Sequence, residues 1–242
     1  MNAEGFTTVI DRLEKENELK NGWISLISHD FKEIFGNLVW ITEAVQNESI
    51  SKDDFFKLLP RITTDSKKNL QTVIDTSEWI KTQMKGFELK RSKLFALDLF
   101  IKLRKEYEEK LATKKIDFQF TGDQNLVFEN DSFLIFFILK KILDNAIKFS
   151  HANKAIQFKA FKDNDTIFLS IIDYGIGIEK ENLESIFTFE SPIFQGTNGE
   201  MGTGLSLKIV KNFVSLLNGE IEIDSTENSG TRITILLPEI EK

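Results

Sequence analysis

The sequence predicts an α+β protein in two parts: an N-terminal antiparallel helical hairpin over residues 1–88, then an α/β sandwich over residues 89–242. Three observations predict it. In the first third, apolar residues recur at three- and four-residue steps, the period of a helix face. From about residue 89, helical stretches alternate with short segments of period two, the mark of strands. And 242 residues that are 41% hydrophobic, with 22 Phe and only 3 Pro, suffice to bury a sizeable core.

The first helix follows from a heptad register. With Ile24 at position a, Ile10, Asn17, Phe31, Leu38 and Val45 share that position, while Leu13, Lys20, Ile27, Ile34 and Ile41 fall at d. The seam is wholly apolar from Ile24 onward, and the polar Asn17 and Lys20 upstream are of the kind that sets register. Ser51-Lys-Asp-Asp54 has the form of a capping box with Asp in the Glu position and opens a second helix. Pro60 is expected to kink or restart it. Beyond Pro60, Ile62, Ser66, Leu70, Val73, Ser77, Ile80 and Met84 form one narrow face, and Gly86 is expected to end the helix. Two such helices do not close a core by themselves. Homodimerisation into a four-helix bundle is therefore expected.

In the second part, a mixed segment from Leu94 to Leu111 contains a helix, and Ile116 to Phe120 alternates as a strand. Asp131 to Ser150 is a strongly apolar helix. Ile156 to Phe161 and Thr166 to Asp173 are strands joined by the polar turn Lys162 to Asp165. Thr203 to Leu217 is a helix, and Glu220 to Asp224 and Thr231 to Leu237 are closing strands.

Composition excludes several classes. A net charge of -7 argues against a nucleic-acid partner, which needs a basic surplus. The absence of Cys removes disulfides and thiolate metal sites. With only His29 and His151, a multi-histidine metal centre is not expected. The longest apolar run, Phe133 to Leu139, is far short of a membrane span, and the N-terminus lacks a secretory pattern, so a soluble cytoplasmic chain without a membrane segment is expected.

Three blocks in the second part carry chemistry. Leu143 to Ser150 places Asn145, a hard oxygen ligand suited to Mg²⁺, one turn before Lys148, which can neutralise phosphate charge. Asp173-Tyr-Gly-Ile-Gly-Ile178 follows a strand; a carboxylate there can accept a hydrogen bond from an amino group such as that of adenine, and Gly175 and Gly177 allow close approach of a planar ring. Gly196 to Leu207 is a glycine-rich loop opening a helix, the form of an anion site. Each block alone is also what an ordinary helix end, tight turn or loop looks like.

In this order the blocks resemble the N, G1, F and G2 boxes of the histidine-kinase ATPase family, over residues 90–238. The resemblance implies ATP and Mg²⁺ as cofactors. Asn145 matches the metal-binding asparagine, Asp173 the adenine-binding aspartate, Phe187 and Phe189 the F box, and Gly202 and Gly204 the G2 glycines, with Thr203 and Leu205 among them. Gly230-Thr231 resembles the late Gly-Thr near the adenine. Upstream, Ile27 to Glu33 resembles the H box of sensor histidine kinases, with His29 at heptad position f, away from the apolar seam, and Asp30 placed to orient it or take its proton. The implied activity is that of an ATP-dependent protein-histidine kinase: His29 is phosphorylated, and the group passes to an aspartate of a response-regulator receiver domain. The segment Gly86 to Lys93 is then expected to be a hinge and Glu179 to Met201 a mobile lid. The family pattern is not complete: Lys141 stands at a first N-box asparagine, Glu33 where phosphatase-active relatives have Thr or Asn, Ile34 at the H-box proline and Ser206 at a G2 glycine. These departures keep a second reading open, a nucleotide-binding pseudokinase scaffold. A third, an anti-sigma-type serine kinase, does not account for the long hairpin that carries His29.

Overall fold

The computed structural model describes residues 32, 35–188, 194–200 and 204–239, and the chain divides into two compact units, Met1–Met84 and Lys85–Lys242. In the first unit, residues 35–46 are helical (α1) and a short turn leads to α2, Lys52–Gln83. Ser51 caps α2: its Oγ accepts a hydrogen bond from the Asp54 amide at 3.1 Å and donates one to Asp54 Oδ2 at 2.7 Å. The second arm differs from a capping box, in which the acidic side chain takes the cap amide. Asp is one methylene shorter than Glu and meets the hydroxyl instead.

Pro60 does not restart α2. The helix runs through it, and both Pro60 and Phe56, whose carbonyl loses its amide partner, lie on the exposed side. Water can satisfy that carbonyl, and the surrounding turns hold their bonds cooperatively. The helix ends at Gln83, with Met84 extended and Gly86 beyond it at φ +90°. The apolar face that the spacing singles out is not covered: Leu70, Val73, Ile80 and Met84 are exposed, whereas Thr72, Asp75, Thr76, Trp79 and Thr82 are buried. The seam residues upstream of residue 35 lie outside the described residues.

The second unit is built on a five-stranded sheet: β2 (Asp117–Gly122), β4 (Ala155–Asp163), β5 (Thr166–Asp173), β7 (Gly230–Pro238) and β6 (Glu220–Thr226), in the spatial order β2-β4-β5-β7-β6. Only β2 and β4 pair in parallel; the other neighbours are antiparallel. The helices are α3 (Ala96–Glu106), α4 (Glu108–Lys114), α5 (Ser132–Phe149), the single turn α6 (Lys180–Leu183) and α7 (Ser206–Leu216). The inward sheet residues Ile156, Phe158, Ala160, Leu169 and Ile235 are fully buried, as are Leu134, Ile135, Ile138, Leu139 and Leu143 of α5. Burying each large apolar side chain of this kind contributes roughly 2 kcal/mol, so this layer dominates the unit's stability. Aromatic contacts join its parts: Phe137 of α5 and Phe213 of α7 are 5.0 Å apart, and Phe100 of α3 and Phe118 of β2 are 4.9 Å apart.

Two strands are not legible from alternation: β1 (Arg91–Phe95) and β3 (Val127–Asp131), which pair antiparallel with each other. β1 buries only Leu94, and β3 ends in Glu129, Asn130 and Asp131, so neither shows a period-two pattern. Their work is positional. Asp131 caps α5 by accepting the amides of Phe133 and Leu134 through Oδ1, both at 3.0 Å, and the amide of Lys90 through Oδ2 at 2.8 Å. That cap sets the start of the helix whose far end carries Asn145. Among the described residues, no helix is long and apolar enough to cross a membrane.

Candidate functional site

One pocket gathers the segments that carry chemistry. The C-terminal turns of α5 bring Asn145 and Lys148; the end of β5 brings Asp173; the loop after it brings Gly177; the entrance to α7 brings Gly204; and the start of β7 brings Thr231. Ile142, Ala146, Phe149, Ile171, Ile176 and Ile233 make the rest of that wall apolar. An apolar slot with a few convergent polar groups is the form of a small-molecule site, and a flat ring system fits its chemistry.

Asp173 is the buried polar group of the slot. Its Oδ1 accepts the amide of Gly175 at 2.9 Å, and the amide of Thr231 also donates to the carboxylate. Burial pushes its pKa up to about 6, against the downward pull of those two bonds. Behind it, Ser225 ties the loop to the strand: its Oγ accepts the amide of Ile178 at 2.9 Å, donates to the carbonyl of Gly230 at 2.9 Å, and lies 2.8 Å from Thr231 Oγ1. No motif spacing points to Ser225; only the pairing of β6 with β7 brings it there.

Gly175 and Gly177 also meet a packing constraint that their spacing does not reveal. A Cβ at Gly175 would lie 2.1 Å from the Phe149 carbonyl oxygen, and one at Gly177 would lie 2.1 Å from that of Thr226. These glycines let the loop pack against the end of α5 and the β6–β7 turn. They shape the pocket by backbone contact, and Gly177 alone of the two lines it.

Other expected residues fall in several places. Leu205 is buried directly before α7 and does not line the pocket. Phe187 is half-buried, with Lys211 Nζ of α7 5.3 Å from its ring centre, and it too is off the lining. Lys141 is buried and off the pocket lining, one turn before Asn145 on the same face of α5, with Nζ 5.4 Å from the ring centre of Phe137. His151 is exposed. His29, Asp30, Phe189, Gly202 and Thr203 lie outside the described residues, as do Glu33 and Ile34.

The segment expected to be a mobile lid is held at its C-terminal side. The Thr197 amide donates to the Lys148 carbonyl at 3.1 Å, its Oγ1 donates to the Ser150 carbonyl at 2.7 Å, and Lys148 Nζ donates to the Phe194 carbonyl at 3.0 Å. Phe194 itself lines the pocket. Sequence reasoning missed Phe194, because nothing in the local sequence shows that 194–200 docks on α5.

Among the described residues no group of three or more His, Asp or Glu is arranged to hold a metal. The donor set does fit an ion that keeps its waters and bridges phosphates: Asn145 offers an amide oxygen in the pocket wall, engaged by no hydrogen bond among the described residues.

This fold and pocket define a class. Residues 130–241 match the family model described as the histidine kinase-, DNA gyrase B- and HSP90-like ATPases, and this part of the chain is a domain of that family. Relatives similar over the hairpin as well are named histidine kinases. The chain is 28% identical to the histidine protein kinase SaeS of Staphylococcus aureus over 99% of its own length and 69% of that protein's. It is 26% identical to the sensor histidine kinase YclK of Bacillus subtilis over 95% of its own length, and spans only 48% of that relative. The fold of histidine kinase ThkA, solved in complex with response regulator protein TrrA, matches with a TM-score of 0.68 at 20% identity, over 95% of this chain and 64% of that one. Together these similarities support a histidine kinase catalytic core.

Proposed function

We propose that this core belongs to a two-component sensor kinase that binds ATP with Mg²⁺, phosphorylates its own His29 and passes the phosphoryl group to a response-regulator aspartate. The observation that carries the reading is the convergence of Asn145, Lys148, Asp173, Gly204 and Thr231 on one apolar pocket, in a chain whose similarity to SaeS extends through the His29 segment.

In this reading the ionised Asp173 accepts the adenine amino group, and the apolar wall takes the ring. Asn145 holds Mg²⁺, which supplies charge neutralisation at the phosphates; Lys148 adds a cation on the same side. Gly202, Thr203, Gly204 and Leu205 form the phosphate loop, and Phe187 and Phe189 belong to the segment that covers the nucleotide. A neutral ring nitrogen of His29 attacks the γ-phosphorus, the N–P bond forms, and the bond to the ADP oxygen breaks. Asp30 takes the imidazole proton. The N–P bond then breaks as a receiver carboxylate takes the phosphoryl group; the complex of ThkA with a response regulator supports that partner. Homodimerisation is supported by the uncovered apolar face of α2. The cytoplasm is the setting in which ATP and a receiver domain are both available.

The test is incubation of the purified chain with γ-labelled ATP and Mg²⁺ beside a His29→Gln control. Acid-labile, alkali-stable label on the wild type alone is expected. Confirmed ATP binding with no label would sink the kinase reading and favour the pseudokinase scaffold, for which Lys141 in place of an N-box asparagine is the supporting observation.

A further inference from the structure

Lys114, the last residue of α4, is a buried lysine that neither the motifs nor the pocket lining include; its side chain is only 5% exposed. Its ammonium meets four acceptors. Two are backbone carbonyls at the end of α5, Ile147 and Lys148, each at 2.9 Å. The other two belong to the turn before α7: Thr197 Oγ1 at 2.9 Å and Glu200 Oε1 at 2.8 Å. Its own carbonyl accepts the Asn153 amide at 3.0 Å, which fixes the backbone from which the side chain reaches.

A cation suits this position for two reasons. The last carbonyls of a helix lack intrahelical donors and carry the negative end of its dipole. The turn adds a carboxylate, and burial strengthens each of these bonds. The turn in turn organises itself on Glu200: Oε2 accepts the Asn198 amide at 2.8 Å, and the Glu200 carbonyl accepts the Gly196 amide at 2.7 Å. Burial raises the Glu200 carboxyl, but the Lys114 bond and the turn amides outweigh it and hold it below its ordinary range.

The segment between Glu181 and Leu207 contains no Lys or Arg of its own. We propose that Lys114 supplies that charge from outside as a positioning residue: it pins the 196–200 turn to the end of α5 and so sets the Phe194 wall and Lys148 for nucleotide. The inference rests on the ATP-binding reading and deepens it. Lys114 does not itself line the pocket; it acts through Thr197, Glu200 and the backbone of the lining residue Lys148.

The experiment titrates the full chain with a fluorescent ATP analogue and Mg²⁺, comparing wild type, Lys114→Met, Glu200→Gln and the double variant. Amide hydrogen exchange over 196–200 and unfolding midpoints are measured without nucleotide. Lys114→Met is expected to weaken binding by roughly tenfold or more, and Glu200→Gln by several-fold, with the double variant about as weak as Lys114→Met alone. Protection of the 196–200 amides should fall in both, while the midpoint of Glu200→Gln stays near wild type because that carboxylate is half-exposed. Wild-type affinity in Glu200→Gln, despite lost protection, would overturn the inference while leaving the ATP-binding reading intact. So would additive losses in the double variant. Lack of binding by the wild type, with 196–200 protected as expected, would overturn the ATP-binding reading and with it the claim that the pin serves nucleotide. If Lys114→Met does not fold, Glu200→Gln decides alone.

Discussion

Helices α2 and α5 are both amphipathic, yet they end in opposite circumstances. Leu70 and Ile80 of α2 are 59% and 45% exposed, while Leu134, Ile135, Ile138 and Leu139 of α5 are all 0% exposed. The difference is in what each helix can reach within one chain. The five-stranded sheet and α7 pack over the buried face of α5, whereas α2 presents its regular apolar face to solvent and buries Thr72, Asp75, Thr76 and Thr82 instead. Apolar periodicity states that a face wants cover and leaves open where the cover comes from. For α5 it is intramolecular. For α2 a second copy of the chain fits the proposed dimer.

The sharpest way to break this contrast is to cut the buried side. Leu139→Ala should cost about 2–5 kcal/mol in denaturant unfolding, through lost transfer energy and a cavity. A loss below about 1 kcal/mol would mean the α5 layer is looser than its burial implies.

Asp173 gives the next largest effect, because it is a buried carboxylate whose charged form burial disfavours. Its pKa rises from 3.8 to about 6 on folding. The folded state then binds more protons than the unfolded state between those values, so stability is greatest below the unfolded pKa and falls as pH rises toward and through about 6, by roughly 3 kcal/mol in all. Asp173→Asn should remove that slope and stabilise the nucleotide-free chain at neutral pH. Nucleotide affinity should move the other way, rising with pH through the same window and falling by roughly tenfold or more in Asp173→Asn. Melting and binding measured across pH 4 to 8 check both trends, and parallel trends would remove Asp173 from the adenine role.

Smaller effects sharpen the α2 side. Ser51→Ala should cost about 1 kcal/mol in the hairpin, since Ser51 satisfies the Asp54 amide. Leu70→Ala should cost under about 0.5 kcal/mol of monomer stability. The exposed pair Leu70 and Ile80, changed together to Asp, should shift sedimentation from dimer to monomer without altering the fold of residues 85–242. A double variant that sediments like wild type would place the dimer contact elsewhere.

Where local chemistry was decisive, the sequence was readable. The strong apolar period of Asp131 to Ser150, the alternation in Ile156 to Phe161 and Thr166 to Asp173, and the cap at Ser51 all led to elements within a few residues of those observed. Where a residue's environment comes from distant chain, it was not. β1 and β3 have little pattern, since β1 buries only Leu94 and β3 buries the polar Asn130 and Asp131 beside Phe128, and each exists by pairing with the other. Pro60 read as a break because its lost donor is local, while the exposure that makes the loss tolerable is not. Gly175 read as room for a ring, although the atom it accommodates is the Phe149 carbonyl oxygen.

By itself the sequence determined the two-part α+β plan, the order of the chemical blocks and their family resemblance, because period, turn residues and motif spacing are properties of neighbours along the chain. Only the tertiary structure decided that Asp173 is buried enough for its pKa to rise to about 6, that Ser225 ties the loop to β7, and that Lys114 holds the 196–200 turn. Desolvation, hydrogen bonding and ion pairing act between atoms that are close in space, and in this chain the decisive partners are separated by tens of residues.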